Sequence, residues 1–119
     1  MSETASNKMV VLRLGDVHLI EFTGTSLVDQ VAIQSIGAEI EELVDKADHP
    51  KFVIDLAGLQ YVSSAMIDVI ISINKKIQSM NGELRLAAVS APIMEAFKLT
   101  RLDKILSIYD DSDKAMHQF

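Results

Sequence analysis

The sequence has no cysteine and no tryptophan. Without cysteine there is no disulfide, no thiolate nucleophile and no zinc–thiolate site, and the chain suits a reducing cytoplasm. With only two tyrosines and four phenylalanines, the core has to be assembled from Ile, Leu, Val, Met and Ala, and few ring faces remain for stacking on bases or sugars. Basic charge is scarce as well: 11 Lys and Arg stand against 17 Asp and Glu, a formal net charge of −6, with an isoelectric point near 4.9. Nucleic-acid binders draw most of their affinity from neutralising phosphates. The longest basic feature here is Lys75-Lys76, which argues against DNA, RNA or an anionic membrane as partner and leaves a basic protein surface as the better complement. Long apolar runs are also missing. Met66 to Ile73 is interrupted by Asp68 and Ser72 and falls far short of the about 20 residues that span a bilayer. The opening Met1 to Lys8 is polar and does not read as a signal peptide. These absences lead us to expect a soluble, cytoplasmic domain behind a flexible tail of residues 1–8.

Catalytic patterns are equally sparse. His18, His49 and His117 share no metal-ligand spacing, no Gly-x-Ser-x-Gly elbow is present, and the five glycines are isolated rather than gathered into a phosphate-cradling loop. Asp and Glu are numerous but fall mostly on solvated helix faces, and no two are forced together. We therefore expect neither an enzyme nor a metal or cofactor site.

What remains is a chain of 119 residues, 49% hydrophobic and 24% charged, the make-up of one folded domain over residues 9–119. Met9 to Leu14 and Val17 to Phe22 predict two strands joined at Gly15-Asp16 as a hairpin. After a loop at Thr23 to Ser26, a helix is predicted over about 27–46, with Val28, Val31, Ala32, Ile36, Ile40, Leu43 and Val44 as its buried stripe. Ala47 to Pro50 ends it. Lys51 to Leu56 is apolar on both faces, the mark of a strand in the middle of a covered sheet. A loop over 57–62 leads to Ser63-Ser64 and a helix to about Met80, with Ala65, Met66, Val69, Ile70, Ile73 and Ile77 inward and Asn81-Gly82 as its left-handed exit. Then follow a strand over 83–88, a helix opened by Ser90-Ala91-Pro92 and covering Ile93, Met94, Phe97 and Leu99, a short strand over 106–109, and a last helix capped by Asp110 to Asp113 and running to the C-terminus. The order ββαβαβαβα predicts an α/β domain with a mixed, mostly parallel sheet of about five strands and helices packed on it.

The informative stretch is Val53 to Ala65, where a buried strand ends, a short loop turns and two serines meet a helix start. One serine is enough to cap that helix, which is worth about 0.5–2 kcal/mol. The second is free for another use. A helix N-terminus carries partial positive charge and unpaired N–H groups, so a phosphate is tolerated there, and it adds about −1.5 to −2 charges to any surface that docks a partner. Asp68, one turn on, adds to the negative field.

Strand Phe52-Val53-Ile54-Asp55-Leu56, a loop, Ser-Ser and a helix, within this element order, resembles the STAS domain of the anti-sigma-factor-antagonist type. That type carries Asp-Leu-Ser-Gly-Val, a gap, then Asp-Ser-Ser-Gly-Leu. This chain has Asp55-Leu56-Ala57-Gly58-Leu59, then Val62-Ser63-Ser64-Ala65-Met66. Phe97 to Tyr109 is similar to the family's Leu-Thr-Gly-Leu-Asp helix end and last strand, and Asp111 to Met116 to its closing helix start. Four positions depart from the pattern: Val62 replaces an acid, Ala65 and Arg101 replace glycines, and the acid that follows the second strand has only Asp29 nearby.

The resemblance implies a regulatory module that binds an anti-sigma factor acting also as a serine kinase. Phosphorylation ends the binding, and a PP2C-type phosphatase restores it. The implied acceptor is Ser64, with Ser63 as the alternative. The implied partner surface comprises Thr25, Ser26, Asp29, Gly58, Tyr61, Val62, Ser63, Ser64, Ala65 and Asp68. The departures at Val62 and Ala65 motivate a second reading, a phosphorylation-independent adaptor or scaffold subunit of the stressosome or lipid-transport-ATPase kind. A ligand sensor or weak hydrolase using Ser64 is a third, supported only by the helix start. Oligomeric state is not specified, although Met9-Val10-Val11-Leu12 offers an apolar strand for pairing at a sheet edge.

Overall fold

A computed structural model describes residues 9–117 and 119; the tail expected over 1–8 lies outside them. β1 (Met9–Leu14) and β2 (Val17–Phe22) form the hairpin, paired residue for residue from Met9↔Phe22 to Leu14↔Val17. Gly15 takes the turn at φ +66, a left-handed conformation that a glycine adopts without a Cβ penalty. β4 (Lys51–Asp55), β6 (Glu83–Ala87) and β7 (Ser107–Tyr109) add in parallel to give the order β1-β2-β4-β6-β7. The mixed, mainly parallel five-stranded sheet expected from the alternation is therefore what forms. β4 lies at its centre, with Phe52, Val53, Ile54 and Asp55 all buried.

Helices divide unequally between the two faces. α1 (Gln30–Asp45), α2 (Ser64–Ser79) and α3 (Ala91–Leu99) share one face, where Ile33, Ile36, Ile40, Val44, Met66, Ile70, Ile73, Ile77, Ile93 and Phe97 pack with Phe52, Ile54, Leu84 and Leu86. A 3₁₀ turn over Leu102–Lys104 follows α3. The short α4 (Ser112–Met116) covers part of the other face, where Ala115 meets Val17, Leu19, Val53 and Ala87. α4 is also pinned by a buried cation. Nη1 of Arg85 on β6 donates to the carbonyls of Ala115 (2.9 Å) and His117 (3.0 Å). Its Nε donates to Glu83 (2.8 Å), and its guanidinium lies 4.2 Å from the Phe119 ring centre. A cation at these last carbonyls also meets the negative end of the helix dipole.

Several expectations are corrected. α1 starts at Gln30, not Leu27, because Oδ2 of Asp29 accepts the Ala32 N–H (2.9 Å) and caps it there. Leu27 belongs instead to β3 (Ser26–Leu27), which pairs in parallel with β5 (Tyr61–Val62) as a second, two-stranded sheet. Both segments were expected to be loop or helix, so the chain begins ββ, then β3, before its first helix. With the helix start at Gln30, the inward stripe is Ile33, Ile36, Ile40 and Val44. Val31 falls nearly opposite that stripe and is 72% exposed, and Val28 precedes the helix at 60%. Leu99 is 86% exposed, and the packing of α3 is carried by Ile93 and Phe97 with Met94 beside them. β6 ends at Ala87, with Ala88 left-handed at φ +57, and α4 ends at Met116, where His117 turns extended.

The exit of α2 is set by close approach. Asn81 is the left-handed residue (φ +60), and the Gly82 N–H reaches the Ile77 carbonyl at 2.9 Å. A Cβ on Gly82 would lie 2.1 Å from the Pro50 carbonyl oxygen, so only glycine fits between α2 and the start of β4.

Candidate functional site

The site begins where β4 ends. Asp55 is buried, and its Oδ1 accepts the Ala57 N–H at 2.8 Å, turning the chain back over the strand. The Leu59 N–H then closes on the Leu56 carbonyl (3.1 Å), with Gly58 at φ +86, the value a type II turn requires at its third residue. Leu59 is fully buried and anchors the loop. A Cβ on Gly58 would sit 3.7 Å from the Gly24 carbonyl, so this turn lies against the loop after β2.

The two loops are then stitched together. Thr25 accepts from Gln60 N–H (2.7 Å) and Tyr61 N–H (3.3 Å), Ser26 and Leu27 pair with Tyr61 and Val62, and Ser63 N–H donates to the Leu27 carbonyl (2.9 Å). The serine pair is thereby held by its backbone before the helix begins.

The two hydroxyls have different environments. Ser63 is the N-cap of α2: its Oγ accepts from Met66 N–H at 3.4 Å and its carbonyl accepts from Met66 (3.0 Å) and Ile67 (3.2 Å). Ser64 is the first helical residue and is exposed. No carboxylate occupies the first turn of α2, so the partial positive charge of the helix start is not countered locally. Asp68 stands exposed one turn on, on the same side as Ser64.

Of the residues expected at a partner surface, Thr25, Gly58, Tyr61, Ser64, Asp68 and Asp29 are exposed, and Ser26, Val62, Ser63 and Ala65 are half-buried. Val62 and Ala65 pack against the main core. Asp29 caps α1 as well as facing solvent. The sequence reading missed three contributors. Val28 and Val31, expected in the core, are instead exposed just after β3 and in the first turn of α1, while Tyr61, 65% exposed, pairs with Ser26 in the β3–β5 ladder. The third is Asp55, whose buried carboxylate shapes the loop. A carboxylate closing an apolar strand just before Ala-Gly was the available signal.

The histidines are scattered, and among the described residues no group of His, Asp or Glu is placed to hold a metal ion. His18 is buried and stacked on Phe52 with ring centres 4.6 Å apart. Burial, helped by the positive charge of Arg13, lowers its pKa below 6.5. Among the described residues no helix is long and apolar enough to cross a membrane.

Fold and site together define a small α/β domain whose distinguishing surface is a helix start presented by two stitched loops. Comparison with known proteins gives it a family. The STAS domain matches residues 8–115, and the chain belongs to that family. It is 27% identical to the Bordetella bronchiseptica protein BtrV over 93 residues, covering 78% of this chain and 79% of that one. It is also 27% identical to an anti-sigma F factor antagonist of Paenibacillus polymyxa over 78 residues, 66% of this chain and 67% of the relative. The fold superposes on an anti-sigma-factor antagonist (STAS) domain protein of Planctomyces limnophilus with a TM-score of 0.80, 23% identity, and coverage of 90% and 92%. The chain is a STAS domain of the anti-sigma-factor-antagonist type.

Proposed function

We propose that this chain is a phosphorylation-switched antagonist of an anti-sigma factor, acting by binding rather than by catalysis, with Ser64 as the switch. One observation carries the reading: of two adjacent serines, Ser63 is committed to capping α2, while the Ser64 hydroxyl is exposed at the first helical position. In the unmodified state the partner, an anti-sigma factor with serine-kinase activity, docks on Val28, Val31, Tyr61 and the start of α2. A phosphate on Ser64 is accommodated by the helix start. It places about two negative charges beside exposed apolar side chains, and the cost of burying those charges opposes docking. A PP2C-type phosphatase resets the surface.

The test is intact mass with peptide mapping on protein isolated from its native cells, joined to binding measurements. One phosphate on Ser64, at least ten-fold weaker binding to the anti-sigma factor for Ser64→Asp, and retained binding for Ser64→Ala are expected. A phosphate on Ser63 instead would reassign the switch.

A second reading has its own support. Val62 stands where the family pattern has an acid and packs against the core, so the residue just ahead of the α2 cap lacks the family's charge. On that reading the same surface holds an adaptor contact permanently. Absence of phosphate in every growth state, with partner capture unchanged by Ser64→Asp, would select it.

A further inference from the structure

The two edges of the five-stranded sheet are built differently. β7 is three residues long and runs straight into the exposed Asp110 and Asp111; brevity and charge both discourage edge pairing. β1 is not short, and its only charged side chain is Arg13. It is six residues long, pairs with β2 without a bulge, and contains no proline, lysine or carboxylate. Met9, Val11 and Arg13 point to the face that carries α1 and α2. Val10, Leu12 and Leu14 point to the other face, where α4 packs on β4, β6 and β7. At the β1 end of that face these three side chains remain 40%, 40% and 46% exposed.

We propose that β1 is a self-association edge, pairing with β1 of a second copy, antiparallel about a two-fold axis normal to the sheet. Two five-stranded sheets would become one of ten strands. The strand is self-complementary in this arrangement. With Leu12 opposite its own copy, Val10 meets Leu14 of the other chain, and the apolar strip doubles in length on one face. Arg13 meets Val11 rather than another Arg13, so like charges are not directly opposed. Charge also favours a copy at this edge over other parts of the surface. A chain of net charge −6 repels its copy on most approaches, whereas β1 presents no carboxylate and one positive side chain. One strand pair and a short apolar strip amount to less than a standard interface, so the dimer belongs in the micromolar-to-millimolar range.

Sedimentation velocity on the whole chain, from about 10 μM to about 1 mM, brackets that range. The expected result is a concentration-dependent rise from monomer to dimer. The Val10→Lys, Leu12→Lys double variant should remain monomeric with unchanged far-UV circular dichroism. Leu99→Lys, at an equally apolar and more exposed position on α3, should dimerise as the parent does. A monomer at every concentration, or a dimer that survives the double variant, would overturn the proposal. If the double variant does not fold, amide exchange of the unmodified chain decides: β1 amides must be more protected at high concentration than at low, and equal protection sinks the idea.

Discussion

Ser63 and Ser64 are neighbours with separable duties, and simple truncations distinguish them. Removing the Ser63 hydroxyl leaves the Met66 N–H without its side-chain acceptor, so Ser63→Ala should cost about 1 kcal/mol in urea unfolding. Ser64 is exposed and its side chain caps nothing in the structure, so Ser64→Ala should fall within about 0.5 kcal/mol of the parent. Equal losses at both positions would mean that the cap is shared. The sequence alone could not divide the pair, because either serine can cap a helix that starts one residue earlier or later. The choice is made by a long-range bond, Ser63 N–H to the Leu27 carbonyl, across 36 positions of chain. Asp55 stands in the family pattern, but its role is visible only in the structure: its carboxylate accepts the backbone N–H of Ala57 and turns the chain after β4.

Among the elements, α4 is the one that depends most on a single side chain. It is five residues long, too short to be stable alone, and its terminal carbonyls are held by Arg85. Arg85→Leu removes those donors and leaves carbonyls short of partners, a loss of about 1–3 kcal/mol. Hydrogen exchange should accelerate in α4 and the residues after it while α1 and α2 keep their protection. Uniform acceleration across the sheet would show that the arginine supports the whole core instead. The major elements were legible because their patterns are strong: β4 is apolar on both faces, and α2 repeats its inward residues every three to four positions. The two-residue strands β3 and β5 have no such period and exist only because they pair with each other. Val28 and Val31 mislead because a helix read from Leu27 counts both as apolar positions, whereas with Asp29 as the cap Val28 precedes the helix and Val31 falls on the face opposite Ile33, Ile36, Ile40 and Val44.

For the molecule as a whole, pH offers a clean probe. His18 has a folded pKa below its ordinary 6.5 because burial against Phe52 disfavours the charged ring. Above pH 6.5 both folded and unfolded chains carry it neutral, and stability is flat with respect to this group. As pH falls below 6.5 the unfolded chain takes up a proton that the folded chain refuses, so stability declines until the folded pKa is reached. Asp16 works in a lower window. Lys51, bonded at 3.1 Å, holds its pKa below 3.8, so its contribution is present above that pH and is lost only on stronger acidification. Chemical denaturation between pH 7 and pH 5 should therefore show a loss that His18→Gln removes. A decline that persists in His18→Gln would place the responsible group elsewhere.

The exposed ring of Tyr61 has an optical consequence. Light that excites tryptophan alone leaves this chain dark. In a mixture with a tryptophan-bearing partner, all emission under that light belongs to the partner. Excited at the tyrosine band, Tyr61 becomes an energy donor at the candidate docking surface, while Tyr109 lies half-buried near Arg85, 5.2 Å from ring centre to guanidinium. Docking at the start of α2 would thus report itself as transfer from tyrosine to tryptophan, with no label attached to either protein.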